Sequence, residues 1–588
     1  MATAPRIPRR IRPGPFLAAL LTAFSPVAGS AQTGLAPEGA TGRTQRALGR
    51  GTSFMAAAAN PLAAEAGREM LRAGGSAVDA AVAIQLVLNL VEPQSSGLGG
   101  GAFLVHWDQA ARQVVTLDGR ETAPAAAKPD RFLENGAPMP FPRAVVGGRS
   151  VGVPGTPRLL GEAHKRWGKL PWAKLFEPAI RLADEGFPVS PRLSGLLGQE
   201  SALKGDPLAR ALYYGEDGAP RPVGYVLKSP AFAATLRTLA AGGADAFYNG
   251  PIADGIVAAV TGHPTNPGDI TLDDLKAYRV VEREPVCGRY RVYTLCGMGP
   301  PSSGGIAVLQ VLKLLEDRNL ARLGPGPEAA HLLAEAGRLA FADRALFLGD
   351  PGFVSVPVRG LTDPDYLRER GKLVGERSMG RAQPGDPPFQ RGDASRFAPS
   401  DGIENGTSHI SVIDAAGNAL AMTTTIEDGF GARVMTSGGF LLNNELTDFS
   451  FAPTDGGRPV ANRVEGGKRP RSSMSPTLVF DAFGRLYASA GSPGGSQIIP
   501  YVVKTLVALL DWKLDPQAAV DLPNFGSRNG PTELERGTEA EGWKATLEAK
   551  GHEVRLVEMT SGIQAIVVTP EGLAGGADSR REGVAVGD

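Results

Sequence analysis

GTSHISVIDAAGNALAMTTTIED, residues 406–428, is the stretch on which the reading of this chain turns. Strand-forming residues at 408–413 and 420–426 flank a turn at 415–418, so the stretch reads as an antiparallel hairpin. Pairing Asp414 with Ala419 sets Ser408 opposite Thr425 and brings Thr407 close to Thr425. A threonine hydroxyl is a weak nucleophile and needs a base. The residue's own α-amine, titrating near about 7.7–8.0, supplies one if Thr407 becomes an N-terminus. Asn405 and Gly406 form a turn dipeptide, and Gly406 adds no bulk beside its own carbonyl, which leaves that carbon open to the Thr407 hydroxyl. A Gly-Thr pair alone is an ordinary strand opening, so the surrounding chain must supply the context.

Two further clusters supply it. GSPGGS, residues 491–496, follows a strand and precedes a helix that starts near Ile499, so the Gly494 and Gly495 amides can converge on an anion, as an oxyanion hole requires. KRPRSSMSP, residues 468–476, sets Ser472 and Ser473 among basic residues, and Arg120 lies in DGRETAP, residues 118–124. An arginine with hydroxyls suits a carboxylate. Glu427, Glu445 and Asp448, close to the hairpin in sequence, offer the opposite sign for an ammonium group.

Outward from these motifs, Asn60 and Pro61 open one helix, Gly74 and Gly75 end it, and Ser76 caps a second, apolar nearly all round, to Val91. Strands are expected at 103–107, 114–117, 439–442, 477–480 and 486–490, and helix-period runs at 171–185 and 328–346. A Pro- and Gly-rich stretch at 380–406 reads as an exposed loop. Helices at both ends around strands from both halves indicate an α+β architecture of stacked sheets covered by helices, the halves interleaved.

Composition excludes several classes. In 588 residues, 42% are hydrophobic and 21% charged, as in a globular protein, and 61 basic residues offset 61 acidic ones, so no net field favours nucleic acid or an anionic membrane. Arg6, Arg9, Arg10 and Arg12 precede an apolar run at 16–28 and the small residues Gly29, Ser30 and Ala31, the pattern of a secretory signal peptide over 1–31. Export to the periplasm or medium follows, with no integral membrane segment in the mature chain. Cys287 and Cys296 can pair as a disulfide or remain buried thiols. No His or Cys pair stands at ligand spacing, so no metal is expected.

Two competing motifs are weaker. GRSVG, 148–152, matches a nucleophile elbow with Ser150 at its centre, but Pro154 and Gly155 stand where a helix should start. SGLGGGAF, 96–103, follows a helix and precedes a strand, the reverse of a dinucleotide loop.

SGLGGGAF, RETAP (120–124), GTSHISVID (406–414), LLNNELTDFS (441–450), KRPRSSMSP and GSPGGS together make the chain resemble the γ-glutamyltransferases of the N-terminal nucleophile hydrolase superfamily, over nearly the whole mature chain. The resemblance implies a four-layer αββα sandwich and a precursor that splits into a large subunit, 32–406, and a small one, 407–588, which stay associated. It implies Thr407 as nucleophile, Thr425 as the hydroxyl supporting its amine, and Gly494 and Gly495 as the oxyanion hole. Arg120, Ser472 and Ser473 then hold the glutamyl α-carboxylate, and Glu427, Glu445 and Asp448 its α-amino group. The expected substrate is glutathione or a related γ-glutamyl compound, with water or an amino acid as acceptor and no cofactor. Two departures stand out. Some members carry an amide side chain where Glu427 and Glu445 stand, and the segment 451–467, where some carry a lid, has no tyrosine. A glutaryl or cephalosporin acylase of the same fold, and an inactive exported binder of γ-glutamyl peptides, are the rival readings.

Overall fold

The alternation in 408–425 decides which face of its sheet looks inward. Ile410, Val412, Leu420 and Met422 join a core cluster with the helices Pro61–Arg72 and Ala77–Val91, while Ala419 and Ala421, together with Ile413, pack in a second cluster with Leu478, Val479 and Ile566. Each of the larger side chains, Ile410, Val412, Ile413, Leu420 and Met422, stabilises the fold by about 1.5–3 kcal/mol when fully buried, and a one-residue slip would exchange the two faces. The computed structural model describes residues 1–3, 39–389, 397 and 406–588. The signal segment expected over 1–31 lies almost wholly outside the described residues, as does most of 390–405 within the loop expected at 380–406.

Two seven-stranded sheets, antiparallel at every pairing, stack face to face. The first runs, in spatial order, Val584–Gly587, Met55–Ala58, Ser408–Ile413, Ala419–Thr425, Gly101–Asp108, Gln113–Gly119 and Val281–Arg283. The second runs Gly49–Gly51, Gly572–Ala577, Gln564–Thr569, Leu486–Gly491, Thr477–Phe480, Tyr293–Gly297 and Val286–Tyr290. Helices Gly304–Leu314, Pro327–Phe347 and Ile498–Leu510 cover the outer face of the second sheet and complete the four αββα layers. Each sheet takes strands from both sides of the Gly406–Thr407 bond, so the halves are interleaved.

Caps follow the sequence reading. The Asn60 side chain accepts from Leu62 N, and Ser76 forms a reciprocal capping box with Asp79. The hairpin register differs from expectation by one residue. Asp414 N donates to Asn418 O (3.0 Å) and the Asp414 carboxylate accepts from Ala416 N and Asn418 N, making a five-residue turn, 414–418. Ile413 therefore pairs with Ala419 and Ser408 with Thr424, which sets Thr407 directly across from Thr425. The stretch 439–442 forms no strand, only two isolated bridges, Leu441 with Met435 and Leu442 with Gly99, and 171–185 divides into a 3-10 turn, Trp172–Phe176, and a helix, Glu177–Glu185, at whose start Pro178 carries no N–H to donate. Cys287 and Cys296, opposite one another on adjacent strands, form a disulfide. Among the described residues no helix is long and apolar enough to cross a membrane.

Candidate active site

Thr407 opens the strand Ser408–Ile413 at the end where the two sheets' strands run out, and it is buried. Its hydroxyl lies against the carbonyl of Gly406, the residue before it. The same carbonyl accepts from the Thr425 hydroxyl at 2.7 Å, and Thr425 Oγ1 in turn accepts from Glu427 N at 2.8 Å. On the other side, Arg581 Nη1 donates to the Thr407 carbonyl at 3.0 Å.

Sheet stacking brings the glycine turn to this point. Ser489 bonds Ser411 across the sheets at 3.0 Å, and a Cβ built on Gly491 would sit 2.3 Å from His409 Cε1. The strand Leu486–Gly491 ends at that contact, and the turn 492–495 follows it directly. Pro493 and Arg581 both flank Gly562, which ties the turn to the arginine that holds Thr407. Gly494 (φ +133°) and Gly495 (φ +56°) adopt left-handed backbone, and a Cβ on Gly494 would meet Tyr501 Cε2 at 2.5 Å, so glycine is required there. Gly495 starts a 3-10 turn, Gly495–Gln497, that feeds the helix Ile498–Leu510. Amides at such a helix entrance favour negative charge.

A two-signed pocket adjoins. Arg120 follows the strand Gln113–Gly119; its guanidinium pairs with Glu445 and Asp448 and donates to Pro470 O (3.3 Å) and Arg471 O (3.0 Å). The next residues, Ser472 and Ser473, have buried hydroxyls: Ser472 Oγ accepts from Met474 N at 3.1 Å, and Ser473 Oγ from Arg344 Nη2 at 2.7 Å. Glu427, in left-handed backbone at φ +76°, accepts from Asn444 Nδ2. Burial, reinforced by Asp448, Asp428 and Glu445, raises the Glu427 carboxyl well above the carboxylate range, and burial does the same to Glu445 against the opposing pull of Arg120. Thr407, Thr425 and Gly406 thus form one cluster, and Arg120, Glu427, Glu445 and Asp448 another, linked through the Glu427 N–H.

Other residues here were missed at the level of sequence. Glu121 and Asn444 lie inside the quoted motifs RETAP and LLNNELTDFS, so their signal was present; Arg581 and Arg344 carry none in their own neighbourhoods. The segment 451–467 contains a short hairpin, Thr454–Asp455 with Arg458–Pro459, and Phe451 stacks on Phe132 at 4.6 Å. Asn462, at its base, donates to Asp448 O (2.7 Å) and accepts from Arg471 N (2.9 Å), tying both halves of the pocket together.

The Ser150 hydroxyl donates to Val145 O (2.6 Å) and Gly147 O (3.0 Å) from a 3-10 turn, so it forms no nucleophile elbow. One group with metal-ligand chemistry does come together among the described residues, His331, Glu335 and His552, invisible to spacing because the histidines lie 221 residues apart. His331 Nδ1 meets His552 Nε2 at 2.7 Å, and Glu335 accepts from Arg338 Nε (2.9 Å) and Met379 N (2.7 Å).

Comparison with known proteins identifies the family and the fold. A family model described as Gamma-glutamyltranspeptidase matches residues 63–588. The glutathione hydrolase proenzyme of Bacillus subtilis (strain 168) is 38% identical over 548 residues, 91% of this chain and 92% of that protein. The acylase ACY 1 proenzyme of Pseudomonas sp. (strain V22) is 37% identical over 548 residues, 91% and 94% of the two. The crystal structure of cephalosporin acylase from Bacillus halodurans shares the fold with a TM-score of 0.80 at 27% identity, covering 93% of this chain and 97% of that one. With its motifs gathered at one end of two stacked sheets and its sequence matched almost throughout, the chain belongs to the gamma-glutamyltranspeptidase family.

Proposed function

We propose that this protein is an exported, self-processing γ-glutamyltransferase and hydrolase that cleaves the γ-amide of glutathione and related compounds with Thr407 as its nucleophile. The observation that carries the reading is the Gly406 carbonyl, held by Thr425 Oγ1 at 2.7 Å with the Thr407 hydroxyl against it. Processing begins when Thr407 Oγ1 adds to the Gly406 carbonyl carbon and the C–N bond breaks, moving the acyl group from nitrogen to oxygen. Water then hydrolyses the ester, leaving a carboxylate on Gly406 and a free α-amine on Thr407. Removal of 1–31 on export and this cleavage give subunits of 32–406 and 407–588, located in the periplasm or secreted.

In turnover the freed amine accepts the Thr407 hydroxyl proton as the oxygen attacks the substrate's γ-carbonyl. The Gly494 and Gly495 amides stabilise the oxyanion. The Thr407 ammonium passes that proton to the substrate's amide nitrogen, the γ C–N bond breaks and the substrate's amine leaves, and water or an amino acid resolves the γ-glutamyl ester. Arg120, Ser472 and Ser473 orient the α-carboxylate, and Glu427, Glu445 and Asp448 the α-ammonium.

The rival is a glutaryl or cephalosporin acylase, suggested by the acylase relatives. The buried carboxyls Glu427, Glu445 and Asp448, two of them paired with the single Arg120 side chain, favour a donor that brings its own cation. Purified processed protein is expected to hydrolyse γ-L-glutamyl-4-nitroanilide at least tenfold faster than glutaryl-4-nitroanilide, a difference of about 1.4 kcal/mol. Comparable rates would favour the acylase. Absence of both self-cleavage and turnover would favour a binding protein.

A further inference from the structure

The pocket's acid-rich side has a member with no role in the scheme above. Glu121 follows Arg120, is fully buried, and lies within hydrogen-bonding reach of the equally buried Glu445 carboxyl. Its oxygens accept no well-formed hydrogen bond from a described donor. Glycines wall it in: a Cβ on Gly101 would lie 2.2 Å from Glu121 Oε2, and one on Gly152 would lie 2.8 Å from Glu121 Cβ. Gly101 pairs with Thr425 in the first sheet, so this carboxyl sits beside the Thr407 end of the hairpin.

The charged and titratable groups facing the pair come from five segments. Arg120 precedes Glu121 and pairs with both Glu445 and Asp448. Asp448 lies one turn from Glu445 on the same 3-10 turn, Glu445–Asp448. Glu427 and Asp428 follow Thr425, the latter bound to Arg433 at 2.6 Å. The Tyr248 and Tyr278 phenols donate to Pro154 O (2.9 Å) and Arg120 O (2.7 Å), and burial keeps both neutral. One guanidinium thus faces Glu121, Glu445 and Asp448 together. Two ionised carboxyls in contact repel, whereas one proton between them makes a hydrogen bond.

We propose that Glu121 and Glu445 share one proton in the substrate-free pocket and surrender it to solvent when a donor bearing an α-ammonium group arrives, so that the pair sets the preference between amino and des-amino donor heads. The inference rests on the γ-glutamyl reading of the pocket. An ammonium group compensates two ionised carboxyls, so the proton leaves. A glutaryl head brings no cation, and the proton stays. Burial pushes the Glu121 carboxyl up to about 7 against the pull of Arg120, so the exchange falls in an accessible pH range. Glu121 is on this account a specificity-determining residue, and the pocket is an amino-acid site at alkaline pH and a more tolerant dicarboxylate site at acid pH.

L-glutamate and glutarate differ only in the α-amine, and both can be measured as competitive inhibitors of γ-L-glutamyl-4-nitroanilide hydrolysis by the processed full-length enzyme. Titrations of the Thr407 amine affect both alike and cancel in the ratio Ki(glutarate)/Ki(glutamate). The ratio is expected to rise between pH 6 and pH 8.5, by up to about tenfold per unit for one released proton. Glu121→Gln is expected to flatten the profile, and Glu121→Asp, which still titrates, to keep it. A wild-type ratio independent of pH, no inhibition by glutarate at pH 6, or a Glu121→Gln profile as steep as the wild type would each overturn the shared proton. The wild-type slope is readable even if a variant misfolds. Failure of the γ-glutamyl reading is distinct: the processed enzyme would not hydrolyse the anilide before any inhibitor is added.

Discussion

Thr425 Oγ1 donates to the carbonyl of Gly406 at 2.7 Å, from the position directly across the strand pair from Thr407. The hydroxyl withdraws electron density from the carbonyl that Thr407 is proposed to attack and, after cleavage, stands beside the new amine. Thr425→Val keeps the branched shape and the strand preference but removes the hydrogen bond. The half-time of precursor conversion, followed on denaturing gels, is expected to lengthen by roughly 10²-fold, within the range for losing one oxyanion-type donor. Thr425→Ser should stay within a few-fold of wild type; an unchanged rate in Thr425→Val would remove Thr425 from the processing step.

Gly494 combines a φ of +133° with a Tyr501 ring 2.5 Å from any added Cβ. Gly494→Ala is expected to cost about 1–3 kcal/mol of stability through backbone strain and to lower kcat by about 10²-fold, with KM less affected. Thermal melts and steady-state kinetics on the same preparation separate the two. A stable variant with normal kcat would exclude the glycine turn from oxyanion binding.

Arg120→Lys exchanges a planar fork for a point charge that cannot pair with Glu445 and Asp448 and also receive a substrate carboxylate in the same geometry. KM for γ-L-glutamyl-4-nitroanilide is expected to rise by roughly a hundredfold, more than kcat falls, because a partner of buried charges is weakened. An unaltered KM would place the α-carboxylate elsewhere.

His409 is buried between the sheets, contacting Thr423 (2.9 Å) and Ser411 (3.1 Å), and burial depresses it to about 3. An unfolded histidine titrates near about 6.5, so between these values the unfolded chain binds the extra proton and the folded one does not. This contribution to stability is complete above about pH 6.5 and is lost as pH falls toward about 3, on the order of several kcal/mol in total. His409→Gln should shallow the acid limb of the melting temperature against pH; an identical limb would assign acid sensitivity to other groups.

Much of this was legible because the decisive signals are local. The period-two pattern of 408–425, the caps at Asn60 and Ser76, and the glycines before Ile498 each dictate a backbone state within a few residues. The hairpin register was harder, since the number of residues in its turn depends on the Asp414 carboxylate binding Ala416 N and Asn418 N. Contacts made across long sequence separations left no trace: Arg581 reaches Thr407 from 174 residues away, and His552 meets His331 only once the helix Pro327–Phe347 has packed. Glu121 lay within a quoted motif, but nothing in RETAP says that its carboxyl turns toward Glu445.

The central claim is that the bond between Gly406 and Thr407 breaks and that Thr407 breaks it. N-terminal sequencing of the smaller fragment of purified protein tests this most directly. The account predicts two fragments, the smaller beginning Thr-Ser-His-Ile, and a single uncleaved chain for Thr407→Ala. A smaller fragment with any other start, or two fragments from Thr407→Ala, would contradict it.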